Sequence, residues 1–238
     1  MSARPNNAPA IPVGSVPVPS DAQSVLLFGG SFDPPHVGHF RLPALARDAI
    51  NVRWLVYVPA ARSPFKSDGP VANGDDRVAM LSAGLAELGA KDVGIATLEL
   101  ERAARSTEPS YTIDTLREIR ERVDERTELR LLIGADQARE FHRWREAQAI
   151  IDTAEPVVML RAGDGAAQRD LLETMRPNWS ADEMTRWEAR IVPLPLVDAS
   201  STEIRRIIRT EGATSPRLAG LLPKSVLHLF RRQGLYSA

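Results

Sequence analysis

Short apolar runs that stop at glycine or proline alternate along this chain with longer stretches of helical spacing, and few folds accept that alternation. Ser24-Val25-Leu26-Leu27-Phe28 halts at Gly29-Gly30, Trp54-Leu55-Val56-Tyr57-Val58 at Pro59, and Leu129-Arg130-Leu131-Leu132-Ile133 at Gly134. Residues 93–98, 156–160 and 191–197 read as further strands, the last interrupted by Pro193 and Pro195 and so suited to a sheet edge. Helical patterns run over 37–50, from Asp75 or Asp76 to Leu88, and over 110–123, 137–151, 202–210 and 225–233. Pro43 falls inside the first of these, as a kink or a displaced start. Residues 162–189 are polar and less regular, and are expected to carry a helix or two with excursions. The alternation predicts an α/β fold, a doubly wound parallel sheet of Rossmann-like type with helices on both faces. Ligands in such sheets bind beyond the carboxyl ends of the strands, so motifs there outrank motifs elsewhere.

Residues 1–22, with five prolines and one charge up to Ser20, read as a mobile tail and as a poor signal peptide. Residues 23–238 are expected to form one domain, closed by a helical part over 200–238. No run approaches the length of a membrane span, so a soluble, cytoplasmic protein without membrane contact is expected. The 30 basic and 31 acidic residues nearly cancel, which argues against a protein that coats nucleic acid. The absence of cysteine excludes a disulfide scaffold, a thiolate nucleophile and thiolate-bound metal. Oligomeric state is not set by the sequence.

The segment from Gly29 to His39 reads Gly29-Gly30-Ser31-Phe32-Asp33-Pro34-Pro35-His36-Val37-Gly38-His39. Paired glycines at a strand end let another group approach the backbone. The loop leads into a helix start, where unpaired N–H groups and the helix dipole attract anions. His36 and His39 share a face of the first turn and can donate hydrogen bonds to phosphate oxygens, and Gly38 between them leaves room. In isolation, an H-x-G-H match is as compatible with a tight turn bearing two surface histidines. A metal site is disfavoured, since no acidic cluster accompanies the pair.

Ser200-Ser201-Thr202-Glu203-Ile204-Arg205 also follows a strand. Ser200 and Glu203 have capping-box spacing, and a well-capped helix is one reading. The cap leaves Arg205 and Arg206 unexplained, because cations in a first turn oppose the macrodipole unless an anion binds there. Hydroxyls with Arg205 form a phosphate clamp. The last 38 residues carry seven basic residues against two acidic ones.

These two segments resemble the signature pair of the nucleotidyltransferase superfamily, and the chain is similar, more narrowly, to the bacterial nicotinate mononucleotide adenylyltransferases. Asp76-Arg77-Val78-Ala79-Met80-Leu81, Ser110-Tyr111-Thr112-Ile113-Asp114-Thr115-Leu116, Ile133-Gly134-Ala135-Asp136 with Phe141 and Trp144, and the ending Leu222-Pro223, Val226 and Gly234-Leu235-Tyr236 fit that family's landmarks in order. The resemblance implies transfer of AMP from ATP to nicotinate mononucleotide, with Mg²⁺ arriving on ATP and no dedicated metal ligands. It implies catalytic roles for His36, His39 and Arg205. By the same resemblance Gly29, Ser31, Phe32, Gly38, Lys66, Gly134, Asp136, Ser200, Ser201 and Thr202 join them in binding ATP, with Asp136 on the ribose and Lys66 and Arg205 on the outer phosphates. Gly30, Ser31, Tyr111, Thr112 and Trp144 would hold the mononucleotide, with Trp144 stacked on the pyridine.

The chain departs from the family at Ser63-Pro64-Phe65-Lys66, where the usual histidine is Phe65, and at Ala199, where a β-branched residue is usual. Residues 161–187 lack the family's R-P-G turn, and Trp179 and Trp187 have no evident role. The alternatives are an enzyme that takes nicotinamide mononucleotide or both substrates, or a nucleotide-binding regulator that has lost catalysis.

Overall fold

In the computed structural model, which describes residues 10–61, 69–161 and 165–236, the alternation becomes one sheet. Its strands are β1 (Val13–Gly14), β2 (Ser24–Gly30), β3 (Trp54–Pro59), β4 (Val93–Ala96), β5 (Glu128–Gly134), β6 (Glu155–Arg161) and β7 (Ile191–Leu194). They lie in the order β1-β4-β3-β2-β5-β6-β7, and every pairing is parallel. β2 is central, with Val25 opposite Trp54 on one side and Leu129 on the other. Strand order runs one way from β2 through β3 and the other way from β5. The carboxyl ends of β2 and β5, at Gly30 and Gly134, therefore flank the crevice where such sheets bind ligands.

The helices are α1 (Val37–Ala49), α2 (Gly74–Glu87), α3 (Leu98–Ala103), α4 (Thr112–Arg120), α5 (Ala135–Arg139), α6 (Ala147–Thr153), α7 (Gly165–Met175), α8 (Ala181–Ala189), α9 (Ser201–Glu211) and α10 (Lys224–Gln233). Alternate side chains of β2 enter opposite cores, as the period of a strand requires. Leu26 and Phe28 pack with Phe40, Met80, Ile204, Ile207 and Phe230. Val25 and Leu27 pack with Ile113, Leu116, Ile150 and Trp187. Coverage of both faces explains why β2, β3 and β5 read as nearly continuous apolar runs. Among the described residues, no helix is long and apolar enough to cross a membrane.

Three expectations need correction. Within the stretch assigned to a tail, Val13–Gly14 form the edge strand β1. Ile95 and Thr97 donate to the carbonyls of Pro12 and Gly14, and the indole of Trp54 donates to the carbonyl of Pro17 at 3.1 Å. Proline lacks an N–H but still accepts, so an edge tolerates it. The strand expected over 93–98 ends at Ala96, and Leu98 begins α3. The single helix expected over 137–151 is broken into α5, a 3₁₀ turn at Phe141–Arg143, and α6. The one or two helices expected within 162–189 are α7 and α8, and Trp187, which had no assigned role, belongs to the core, edge-on to Phe141 at 5.1 Å.

Pro43 lies within α1 and has no N–H to give the carbonyl of His39, four residues earlier. The buried hydroxyl of Tyr57 donates to that carbonyl at 3.1 Å instead. Tyr57→Phe is therefore expected to cost about 1 kcal/mol of stability. Adding Pro43→Ala to the Tyr57→Phe variant should recover most of it, because an amide N–H returns. Denaturant midpoints of the wild type, the two single variants and the double variant check this, and strictly additive effects would contradict it.

Candidate active site

After β2 the chain turns through Ser31 and Phe32 into α1. Phe32 has a φ of 49°, a conformation that costs a side-chain-bearing residue energy. Its buried ring packs against Phe28 at 5.5 Å, Tyr57 at 5.7 Å and, edge-on, His39 at 5.2 Å. Gly30 makes this possible, since a Cβ there would meet the Phe32 ring at 3.0 Å.

Asp33 holds the turn in place. It is 4% exposed, and its carboxylate accepts from the amides of Val71 at 2.7 Å and Ala72 at 3.0 Å. It also accepts from the Tyr236 hydroxyl at 2.7 Å and lies 3.8 Å from the guanidinium of Arg205. Burial, then the bond to Asp33, pushes the Tyr236 phenol well above its ordinary range. Arg205 donates in addition to the Asp33 carbonyl, and Ser201 donates to the Pro34 carbonyl at 2.9 Å. Arg77, buried on the second helix, donates to the Ser31 carbonyl at 2.7 Å.

The histidines are seated by backbone amides. Nδ1 of His36 accepts from Gly38 N, and Nδ1 of His39 accepts from His36 N, both at 3.2 Å. A nitrogen that accepts carries no proton, so the neutral form of each ring is protonated at Nε2. The rings stack with centroids 3.7 Å apart. Burial lowers the His36 pKa to about 4, which keeps that ring neutral near pH 7. Gly38 is needed for the seat, because a Cβ would come within 3.0 Å of the His36 ring. The first amides of α1 are thus already engaged: Val37 donates to Leu221 and His39 to the His36 carbonyl. The expectation that these amides would meet an anion directly is corrected, since the imidazoles stand in front of them.

A cavity of about 910 Å³ covers this loop, walled among others by His36, His39, Thr202, Arg205 and Arg209. A second cavity of about 470 Å³ is walled by Tyr111, Thr112, Trp144, Glu99 and Arg145 among others. Both include Gly29, Gly30, Ser31 and Gln137, so they meet at the end of β2.

Of the expected ATP residues, Gly29, Ser31, Phe32, His36, Gly38, His39, Gly134, Ser201, Thr202 and Arg205 line the larger cavity. Gly30, Ser31, Tyr111, Thr112 and Trp144 line the smaller one. Asp136, exposed in the first turn of α5, and Ser200, the N-cap of α9, line neither. Lys66 and Phe65 lie outside the described residues. The capping box at Ser200 does not form, because Glu203 is held by Arg206 at 2.6 Å and Arg217 at 2.8 Å. Paired guanidiniums outcompete one backbone amide. The same pairs neutralise Arg206 and Arg217, and it is Arg205 and Arg209 that reach the cavity.

Sequence reasoning gave Asp33, Gln137 and Glu99 no role. Gln137 accepts from Gly134 N at 3.0 Å and borders both cavities. Glu99 accepts from Thr115 at 2.8 Å and Ala61 N at 3.4 Å, and burial pushes its carboxyl above the usual range. Asp33 sits within a motif, but its partners Val71, Ala72 and Tyr236 are remote in sequence. No local pattern could have announced them.

Comparison with known proteins bears on this geometry. The cytidylyltransferase-like family profile matches residues 27–207. A protein of Rhodopirellula baltica named "Probable nicotinate-nucleotide adenylyltransferase" is 31% identical over 218 residues, 92% of this chain and 95% of that one. A protein of Chlorobaculum parvum with the same name is 34% identical over 217 residues, 88% of this chain and 97% of that one. The solved structure of Plasmodium falciparum nicotinic acid mononucleotide adenylyltransferase complexed with NaAD superposes with a TM-score of 0.66. It covers 90% of this chain and 97% of its own, at 16% identity, a likeness of fold. With the paired cavities, the seated histidines and these relatives together, the chain belongs to the cytidylyltransferase-like family and, within it, to the nicotinate-nucleotide adenylyltransferases.

Proposed function

We propose that the protein transfers AMP from ATP to nicotinate mononucleotide, giving nicotinate adenine dinucleotide and pyrophosphate in NAD biosynthesis. The observation that carries this is the meeting of a donor-lined cavity and an aromatic-walled cavity at Gly29-Gly30-Ser31. Two nucleotides seated in them would bring their phosphates together at the end of β2.

The attacking phosphate is already an anion, so the reaction needs alignment and charge stabilisation rather than a general base. An oxygen of the mononucleotide phosphate attacks the α-phosphorus in line, and the bond to the β-phosphate oxygen breaks as pyrophosphate leaves. His36 and His39 donate from Nε2 to ATP phosphate oxygens. Arg205, braced by Asp33, meets the outer phosphates, and Lys66 is assigned there on its motif position. Asp136 keeps its ribose assignment on the family motif alone. Trp144 offers one face to the pyridine, while its other packs on Phe141 at 4.8 Å.

Among the described residues, imidazole, guanidinium and hydroxyl groups supply most of the polar side chains of the larger cavity, and the one acidic side chain, Asp33, is committed to Val71, Ala72 and Tyr236. Among the described residues, no group of three or more His, Asp or Glu could hold a metal. That donor set fits Mg²⁺ carried on ATP oxygens, where it neutralises phosphate charge.

Purified protein with ATP, Mg²⁺ and nicotinate mononucleotide is expected to release pyrophosphate in step with the dinucleotide, and tight ATP binding without turnover would overturn the proposal. His39→Ala should lower kcat by about two orders of magnitude or more with the fold intact. Trp144→Ala should act mainly on KM for the mononucleotide, and a change confined to KM for ATP would reverse the assignment of the cavities.

A pH dependence follows from His36. Its folded pKa of about 4 lies below its ordinary 6.5, so the unfolded chain binds the proton first. Stability is fully present above pH 6.5 and falls as pH drops toward 4, by up to ~3 kcal/mol from this group. His36→Gln should flatten the stability curve across that window in denaturant titrations.

A further inference from the structure

The break between α5 and α6 has a chemical product. Glu146 adopts a left-handed φ of 53° and is clamped by Arg117 of α4 through bonds of 3.2 and 2.6 Å. The preceding residue, Arg145, is thereby laid across the rim of the smaller cavity. Its guanidinium lies 4.8 Å from the centre of the Tyr111 ring, a stacking geometry that favours a cation.

Arg145 makes two long ion pairs and no hydrogen bond to a carboxylate. Asp114 is 3.8 Å away and Glu146 3.9 Å, both beyond hydrogen-bond length, and Glu146 is already engaged by Arg117. Arg143, the neighbouring cation on the same wall, is paired with Glu140 at 2.6 Å. Glu99, the acidic group of that cavity among the described residues, is bound into the wall by Thr115 and Ala61, and Arg102 donates to the same Thr115 hydroxyl at 2.8 Å. The aromatic walls of the cavity thus carry positive charge at the rim near Tyr111.

We propose that Arg145 selects a pyridine bearing a carboxylate over one bearing a carboxamide, by placing its guanidinium against that carboxylate beside Tyr111. The inference rests on the adenylyl-transfer reading above and adds to it the side chain that sets substrate choice. Nicotinate and nicotinamide mononucleotides have nearly the same shape and differ by one negative charge at this group. A charge-assisted bond distinguishes them where packing alone does not.

The test compares kcat/KM for both mononucleotides, at saturating ATP and Mg²⁺, in the wild type, Arg145→Ala and Arg145→Lys. Arg145→Ala should lose about ten- to a hundredfold on the nicotinate substrate, through KM, and stay within about twofold on the nicotinamide one. Arg145→Lys should recover part of the loss, because charge returns without the planar fork. Equal losses on both substrates would assign Arg145 to packing and overturn the inference, as would an unchanged ratio. Equilibrium binding of the two mononucleotides to wild type and Arg145→Ala reads the same ratio without turnover. A wild type that binds nicotinate mononucleotide selectively but releases no pyrophosphate would instead remove the adenylyl-transfer reading and leave the selectivity assignment standing.

Discussion

The buried carboxylate of Asp33 is the constraint on which the site depends. A charge taken out of water costs several kcal/mol unless its lone pairs are filled. Here they are filled by segments far apart in sequence: the approach to α2, Tyr236 near the end of the chain, and Arg205 of α9. Each charge-assisted bond contributes about 1.5–3 kcal/mol. Their sum holds Phe32 in a backbone conformation it would otherwise leave. Arg205 with the Asp33 side chain and carbonyl, and Ser201 with the Pro34 carbonyl, fix the C-terminal motif relative to the N-terminal one. Two motifs far apart in sequence therefore act as one surface.

The start of α1 shows how a helix terminus can serve a phosphate at one remove. Its early amides are given to Nδ1 of His36 and His39 and to backbone carbonyls. The helix dipole then acts through imidazoles whose remaining proton is placed at Nε2. An imidazole reaches farther than an amide, and its neutral form still donates. Burial makes that neutrality robust at His36. The seat also explains Gly38 better than open space does, since the ring of His36 occupies the room a side chain would need.

Much of the sheet was legible from the sequence, because β2, β3 and β5 are covered on both faces and are therefore nearly continuous apolar runs. Their ends were legible too, where glycine follows, and so were the two motifs that lie on them. What escaped was set by contacts distant in sequence. Val13 and Gly14 form a strand only because β4 offers an unpaired edge. The helix over 137–151 breaks because the Phe141–Trp144 stack and the Arg117–Glu146 clamp outweigh its local preference. Glu203 leaves its capping position for two arginines, one of them 14 residues on. Asp33 looked like a turn residue between aromatic and proline, and its buried partners could not be read from its neighbours.

The same competition for partners decides what the charges do. Nearly equal numbers of acids and bases allow many arginines to be answered at the surface, as Arg206, Arg217, Arg117 and Arg143 are. Exposed pairs of this kind add little stability, about 0–1 kcal/mol each. They matter here by subtraction. Once they are formed, the cations among the described residues that face the cavities without a hydrogen-bonded carboxylate are few and placed: Arg205 and Arg209 over the larger, Arg145 over the smaller. A uniformly basic surface would attract any anion, whereas a mostly neutralised one confines attraction to the seats where two anionic nucleotides must be aligned. The near-zero net charge is thus compatible with a phosphate-handling site because the neutralisation is uneven in space.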